Sequence, residues 1–215
     1  MSGVARDRVR LGRRVLLGQA LAASAAGCVA SLPGQGPAPR TFRVTPKYTF
    51  EPNLPAARWS LAVAEPVAER TLDTDRIAVI TNGIGIDYVA LAFWVDRAPA
   101  MVQTLIVQSF RNSGRLDQVG TNRDRVRPDF QLVSDLRAFQ LNRGDNGPDL
   151  VRVRLNVQLL RMPRRDSVGR ESFANEMEPT AGGIDAVVAT FDETFGKVLK
   201  ELVAWTVRTG NRAGP

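Results

Sequence analysis

Val151-Arg-Val-Arg-Leu-Asn-Val-Gln-Leu159 decides the fold. Apolar residues at 151, 153, 155, 157 and 159 alternate with Arg152, Arg154, Asn156 and Gln158. Successive side chains of a strand point to opposite faces, so this spacing predicts a strand with one face in a core and one in water. Working outward, Phe130 to Gln140 reads as a partner strand of mixed burial. Asn142-Arg-Gly-Asp-Asn-Gly-Pro148 joins the two as a hairpin loop, rich in residues that favour turns. Ser167 to Met177 reads as a third strand of the group. A sheet with one apolar face needs a cover, and the next element supplies it. Ile184, Val187, Val188, Phe191, Phe195, Val198, Leu199, Leu202 and Val203 form one stripe at helical spacing, predicting a long helix from Gly183 to Val207.

The preceding half carries shorter elements of the same kind. Thr41 to Thr45 alternates and predicts a first strand. Pro46, Pro52 and Pro55 make 46–58 a loop. Trp59 to Glu65 is a second strand, with Trp59, Leu61 and Val63 on one face and Pro66 closing it. Ile77 to Ile80 is a short apolar run suited to a buried strand. Asn82-Gly83 predicts a tight turn and Ile84 to Tyr88 the returning strand. Pro99 opens a helical pattern through Phe110, stopped at Asn112-Ser-Gly114. Leu116 to Gly120 is another strand. Two helices and six to eight strands predict a single α/β domain, a mixed β-sheet flanked by helices.

The first 27 residues have a different character. A basic stretch ends at Arg13-Arg14, an apolar run follows from Val15, and small residues lead to Gly27-Cys28. That is the order of a secretory signal. The run is shorter than the roughly 20 residues a membrane-spanning helix needs. Arg13 and Arg14, with one spacer before two apolar residues, also resemble a twin-arginine signal, so the general secretory and twin-arginine routes both remain open. Ala25-Ala26-Gly27 before Cys28 resembles a lipobox, in which narrow side chains give the processing enzymes access to the thiol. Lipidation at Cys28 is therefore expected. Two or more acyl chains, palmitate among them, hold durably where one is marginal. Ala30 to Arg40, ASLPGQGPAPR, reads as a flexible tether. The expected organisation is a signal peptide at 1–27, lipidated cysteine and linker at 28–40, an α/β domain at 41–209 and a tail at 210–215.

The chain has 215 residues, of which 44% are hydrophobic and 24% charged, which fits a globular domain. Its formal charge is +7, but Arg6, Arg8, Arg10, Arg13 and Arg14 against Asp7 place over half of that excess in the leader. A nucleic-acid role is not favoured, because export removes the ligand and aromatics do not interleave with the arginines. The absence of histidine excludes His-based triads and His metal sites. A single cysteine excludes an intrachain disulfide and multi-cysteine metal centres. Asp73-Thr-Asp75 beside Arg76 is expected to serve a turn or cap rather than a metal. No P-loop, dinucleotide fingerprint or Gly-x-Ser-x-Gly elbow is present. Arg123, Arg125 and Arg127, and Arg161, Arg164 and Arg165, are expected to be solvated loop residues, with anionic lipid headgroups as the alternative. No catalytic residue, cofactor or metal site is assigned.

Several pieces together resemble the ABC-type transport auxiliary lipoprotein family. They are Val63-Ala-Glu-Pro66, Leu72-Asp-Thr-Asp-Arg-Ile77, Ile86-Asp-Tyr88 followed by Trp94, Pro99-Ala-Met-Val-Gln103, and Pro128-Asp-Phe-Gln-Leu132 with Phe139. They keep the family's order across about residues 41–206. The chain departs from it at Thr41-Phe-Arg-Val44, where a Tyr-Xaa-Leu is usual, and at Ala25, where the lipobox usually has Leu. The resemblance implies a non-enzymatic lipoprotein that accompanies a lipid-transporting ABC system, with an MCE-domain protein, a permease and an ATPase as partners. It implies movement of phospholipid or other apolar cargo between inner and outer membranes. It also implies a sheet flanked by helices, an anticodon-binding-like α/β sandwich. Val29 after the cysteine points to the outer membrane by resemblance to known lipoprotein sorting. Two other functions are weighed: a periplasmic lipid-binding carrier with a pocket between sheet and helix, and an envelope hydrolase working without histidine.

Overall fold

A computed structural model describes residues 37–124, 127–144 and 147–215. Arg13, Arg14, Gly27 and Cys28 lie outside the described residues. The chain divides into two units, Met1–Ala38 and Pro39–Pro215.

Nine strands and two helices follow one another. They are β1 (Arg40–Phe42), β2 (Ala57–Val63), β3 (Val67–Ala68), β4 (Arg76–Thr81), β5 (Gly85–Trp94), α1 (Ala98–Ser113), β6 (Leu116–Thr121), β7 (Phe130–Arg143), β8 (Leu150–Arg161), β9 (Asp166–Met177) and α2 (Ile184–Ala213). All nine strands join one mixed sheet.

Strand β7 is its hub. One edge pairs antiparallel with β8 along nearly its whole length, and β8 pairs antiparallel with β9. The other edge is shared by three strands in turn, all parallel to it: β2 at Leu61–Phe130, β3 at Val67–Asp135 and β4 at Ala78–Gln140. Outward from β2 lies β6, parallel; outward from β4 lie β5, antiparallel, and then β1, parallel to β5.

Both helices cover the same face of this sheet. Helix α2 runs over β8 and β9, and α1 over β2 and β6, touching α2. The buried stripe predicted for the long helix meets Val151, Val153, Leu155, Val157 and Leu159 of β8 in one core. At its centre the ring of Phe139 stacks with those of Trp94, Phe191 and Phe195, centroids 5.3, 5.0 and 5.7 Å away. Aromatic clusters of this kind bury much of a core's apolar area.

The expected mixed sheet with helices and a long C-terminal helix is what the chain adopts. Local signals act as their chemistry requires. Asn82 and Gly83 both take positive φ, 54° and 72°, as a tight hairpin turn demands. Gly114 takes φ 60° and its N–H bonds to the Arg111 carbonyl, ending α1.

Four features differ from expectation. The first strand is shorter and earlier than 41–45, because the Thr45 N–H and hydroxyl both bond to Asp192 of α2 instead of a ladder. Strand β2 ends at Val63, before Pro66 as expected, but an unexpected two-residue strand, β3, follows the proline against β7. Strand β5 runs on to Trp94 through an irregularity, with Leu91 at φ 55°. Helix α2 continues through 210–213, the stretch expected to be a tail, because Gly210 lies against Trp59 and the Asn211 side chain bonds to the Trp59 indole and the Ala56 carbonyl.

Candidate functional site

Four of the motif pieces, Val63–Pro66, Leu72–Ile77, Trp94 and Pro99–Gln103, are far apart in sequence and meet in space around Arg97, the residue preceding α1. Its guanidinium bonds to Glu65 at 2.5 Å and to Asp73. Arg123 approaches the second oxygen of Glu65 at 3.2 Å. These contacts hold the Arg97 guanidinium above its ordinary pKa, through the hydrogen bond to Glu65 first and that to Asp73 next. The Trp94 N–H donates to the Asp75 carbonyl and the Ala98 N–H to the Thr74 carbonyl. The second bond satisfies a donor that the start of a helix leaves unpaired. Arg76 lies 3.9 Å from the centre of the Tyr88 ring. Gln103, buried on α1, donates to the Val63 carbonyl at 2.9 Å.

This knot ties β2, the segment before β4, the end of β5 and the start of α1 together. It positions these elements relative to one another. Arg97 is nearly half exposed, so each ion pair contributes little and the network gives orientation more than stability. Asp73 is occupied by Arg97, and Thr74 bonds to the Arg76 N–H as a turn residue does. Among the described residues no group of three or more acidic or cysteine side chains is placed to hold a metal ion.

The two arginine groups singled out in the sequence have separate fates. Arg123 is engaged by Glu65, and Arg161 bonds to the Ala213 carbonyl at the end of α2. Arg125 lies outside the described residues; Arg127 and Arg164 are exposed. Arg165, in the turn between β8 and β9, joins a different set. With Arg137, Arg154 and Arg170 it surrounds a basin of about 1000 Å³ on the sheet face that the helices leave open. Alternation had placed Arg154 on a wet face. Its convergence with Arg170 depends on the pairing of β8 with β9, which no local signal specifies.

A second groove, about 690 Å³, lies beside α2. Trp205 and Phe173 line it, their rings 6.0 Å apart, and the Arg208–Glu51 ion pair stands at its rim. The space between sheet and helices is filled by Phe110, Phe130, Phe139, Phe191 and Phe195, all fully buried. Among the described residues, no helix is long and apolar enough to cross a membrane.

Comparison with known proteins agrees with this arrangement. A family model described as the ABC-type transport auxiliary lipoprotein component matches residues 44–203. An uncharacterized protein of Bradyrhizobium diazoefficiens is 30% identical over 153 residues, which cover 69% of this chain. The chain spans only 39% of the length of that relative. A crystal structure of a Xanthomonas campestris protein superposes with a TM-score of 0.76 at 28% identity, covering 81% of this chain and 98% of the other. A hypothetical protein of Chlamydia trachomatis shares the fold at TM-score 0.50 and 10% identity, covering 69% of this chain and 96% of the other. The matched segment runs from the start of the core to the middle of α2 and takes in every motif held around Arg97, so the chain belongs to the ABC-type transport auxiliary lipoprotein component family.

Proposed function

We propose that this protein is a lipid-anchored, non-enzymatic auxiliary component of an envelope ABC system that moves phospholipid or a similar apolar cargo. The family match over residues 44–203 carries the reading. The leader ending at Gly27-Cys28 supports it from the sequence. Export begins with the basic stretch at Arg13-Arg14. Cleavage before Cys28 frees the amino group, acylation there fixes the chain to a bilayer, and residues 28–40 serve as tether. Val29 favours retention at the outer membrane, facing the periplasm. The partners are an MCE-domain protein with its permease and ATPase. Contacts with them use an exposed sheet edge or an outer helix face, surfaces suited to strand addition or helix docking. Direct carriage of a lipid between sheet and helices is the weaker reading, because buried phenylalanines occupy that space.

The test is isolation of the mature protein from its native envelope in mild detergent. The expected result is a chain beginning at acylated Cys28 that brings down an MCE-domain protein. An unprocessed, unacylated chain, or recovery of no such partner, overturns the proposal.

A further inference from the structure

We propose that the open face of the sheet is a binding site for the anionic headgroup of a phospholipid, in a basin lined by Arg154, Arg165 and Arg170. This deepens the transport reading, in which phospholipid is the cargo, but depends on neither the anchor nor a partner protein.

The floor follows from strand register. One cross-strand row is Asp135–Asn156–Ser172. The row on one side is Val133–Gln158–Arg170, and on the other Ala138–Arg154–Ala174. Arg154 and Arg170 therefore stand on adjacent strands, offset by four residues, about 13 Å along the strand direction. The middle row lies between them. There Ser172 donates its hydroxyl hydrogen to Asn156 Oδ1 at 2.8 Å, which leaves the Asn156 amide N–H₂ as a donor within the basin.

The charges do not cancel. Arg137 reaches Asp135 at 3.4 Å, and Glu171 accepts a hydrogen bond from the Ser172 backbone N–H. Arg154, Arg165 and Arg170 have no carboxylate partner among the described residues. Elsewhere Arg40 pairs with Asp185, Arg97 with Glu65 and Asp73, Arg152 with Glu176 and Arg208 with Glu51, while Arg111, Arg115 and Arg161 bond to backbone carbonyls. Four arginines against Asp135 and Glu171 leave the lining with a formal charge of +2, which attracts an anion. Planar guanidinium forks match phosphate oxygens in bidentate geometry. Arg165 also has φ 63°, a left-handed conformation that glycine or asparagine adopts with less strain. Such strain is retained where the side chain has work to do.

Shape and apolar content select the occupant. At about 1000 Å³ the basin is at the upper end of small-ligand pockets. Val67, 68% exposed, and Val133 lie beside the arginines, with room for the glycerol and first methylenes of an amphiphile. A purely ionic ligand has no use for them.

The test titrates the full chain carrying Cys28→Ser, which has no acyl group of its own. The probe is dihexanoyl phosphatidylglycerol below its micelle concentration, with dihexanoyl phosphatidylcholine, inorganic phosphate and an acidic peptide in parallel. The expected result is preferential binding of phosphatidylglycerol. Arg154→Gln with Arg170→Gln weakens it on the order of tenfold or more, as loss of charge-assisted hydrogen bonds requires. Arg70→Gln, an exposed arginine outside the basin, leaves it unchanged. Arg165→Gln, in an exposed turn, gives a second reading if the double variant folds poorly. Equal binding of the two lipids, inorganic phosphate binding as well as the lipid, preference for the acidic peptide, or arginine variants that bind like the parent would each overturn the proposal. Partner recovery from the envelope is a separate readout, so the two proposals fail independently.

Discussion

Trp59 of β2 lies flat against Gly210 of α2, so closely that a Cβ at 210 would fall 2.3 Å from Cζ2 of the indole. The indole N–H then donates to Asn211 Oδ1 at 2.8 Å, and its ring meets Phe130 edge-on at 5.0 Å. One glycine thus lets the end of the long helix rest on the sheet. Gly210→Ala is expected to destabilise the domain by about 1–3 kcal/mol through overpacking. Thermal melting should show a lower midpoint, with the loss of indole burial visible in tryptophan fluorescence.

The same helix offers the opposite sign. Gly196 is buried within α2, yet a Cβ there would meet only the Lys47 side chain, at 3.9 Å. Glycine in a helix interior is about 1 kcal/mol worse than alanine. Gly196→Ala is therefore expected to stabilise by about 0.5–1 kcal/mol, measured by urea denaturation at unchanged slope. Opposite effects from identical substitutions would show that close approach, not helix propensity, governs position 210.

Phe139 is the most connected ring of the core, in contact with Trp94, Phe191 and Phe195. It links β7 to both β5 and α2. Phe139→Ala is expected to cost about 3–5 kcal/mol, through lost burial and the cavity left behind. Denaturant unfolding of the variant checks it, with a midpoint within error of the parent as the contrary result.

What the sequence disclosed follows the range of the interactions involved. The β8 alternation and the α2 stripe are local periodicities, and both elements lie where those patterns place them. The Asn82-Gly83 turn and the Gly114 stop are single-residue conformational requirements, equally local. The role of β7 was not legible, because three short strands share its edge and nothing near Phe130 names them. Strand β3, two residues long, carries no periodicity at all. Asp73 read as half of an acidic pair, and its partner Arg97 lies 24 residues on, brought there by the β4–β5 hairpin. The arginine basin was hidden likewise. Arg154 and Arg170 belong to different strands, and only their register makes them one surface.

Asp129 joins β2 to the start of β7. Its Oδ2 accepts hydrogen bonds from the Ser60 N–H at 2.7 Å and the Ser60 hydroxyl at 2.8 Å, while its own N–H approaches Ser60 Oγ at 2.9 Å. Asp129→Ala leaves the partly buried Ser60 N–H without its acceptor, which is expected to cost about 1–3 kcal/mol. Asp129→Asn keeps an acceptor oxygen and should recover part of that loss. Hydrogen exchange at the Ser60 amide separates the two, since only the alanine variant should expose it fully.

Arg40 of β1 grips Asp185, in the first turn of α2, through two hydrogen bonds of 2.6 and 3.0 Å. That grip holds the Asp185 carboxyl below its ordinary pKa and the Arg40 guanidinium above its own. A carboxyl depressed in the folded state binds protons more readily when unfolded. Its contribution is therefore complete above the unfolded value of about 3.9 and is lost as the pH falls through the lower folded value. Arginine remains charged across this range, so only Asp185 titrates. Both side chains are exposed and salt screens the pair, so the effect should be local rather than global. Acidification below about pH 4 is expected to release β1 from α2 before the core unfolds. Amide protection factors at Phe42 and Thr41, corrected for the intrinsic pH dependence of exchange, should fall in that window in the parent chain. In Arg40→Gln, those protection factors should already be low at neutral pH and change little on acidification. An unchanged pH profile in that variant would sink the assignment of the acid response to this pair.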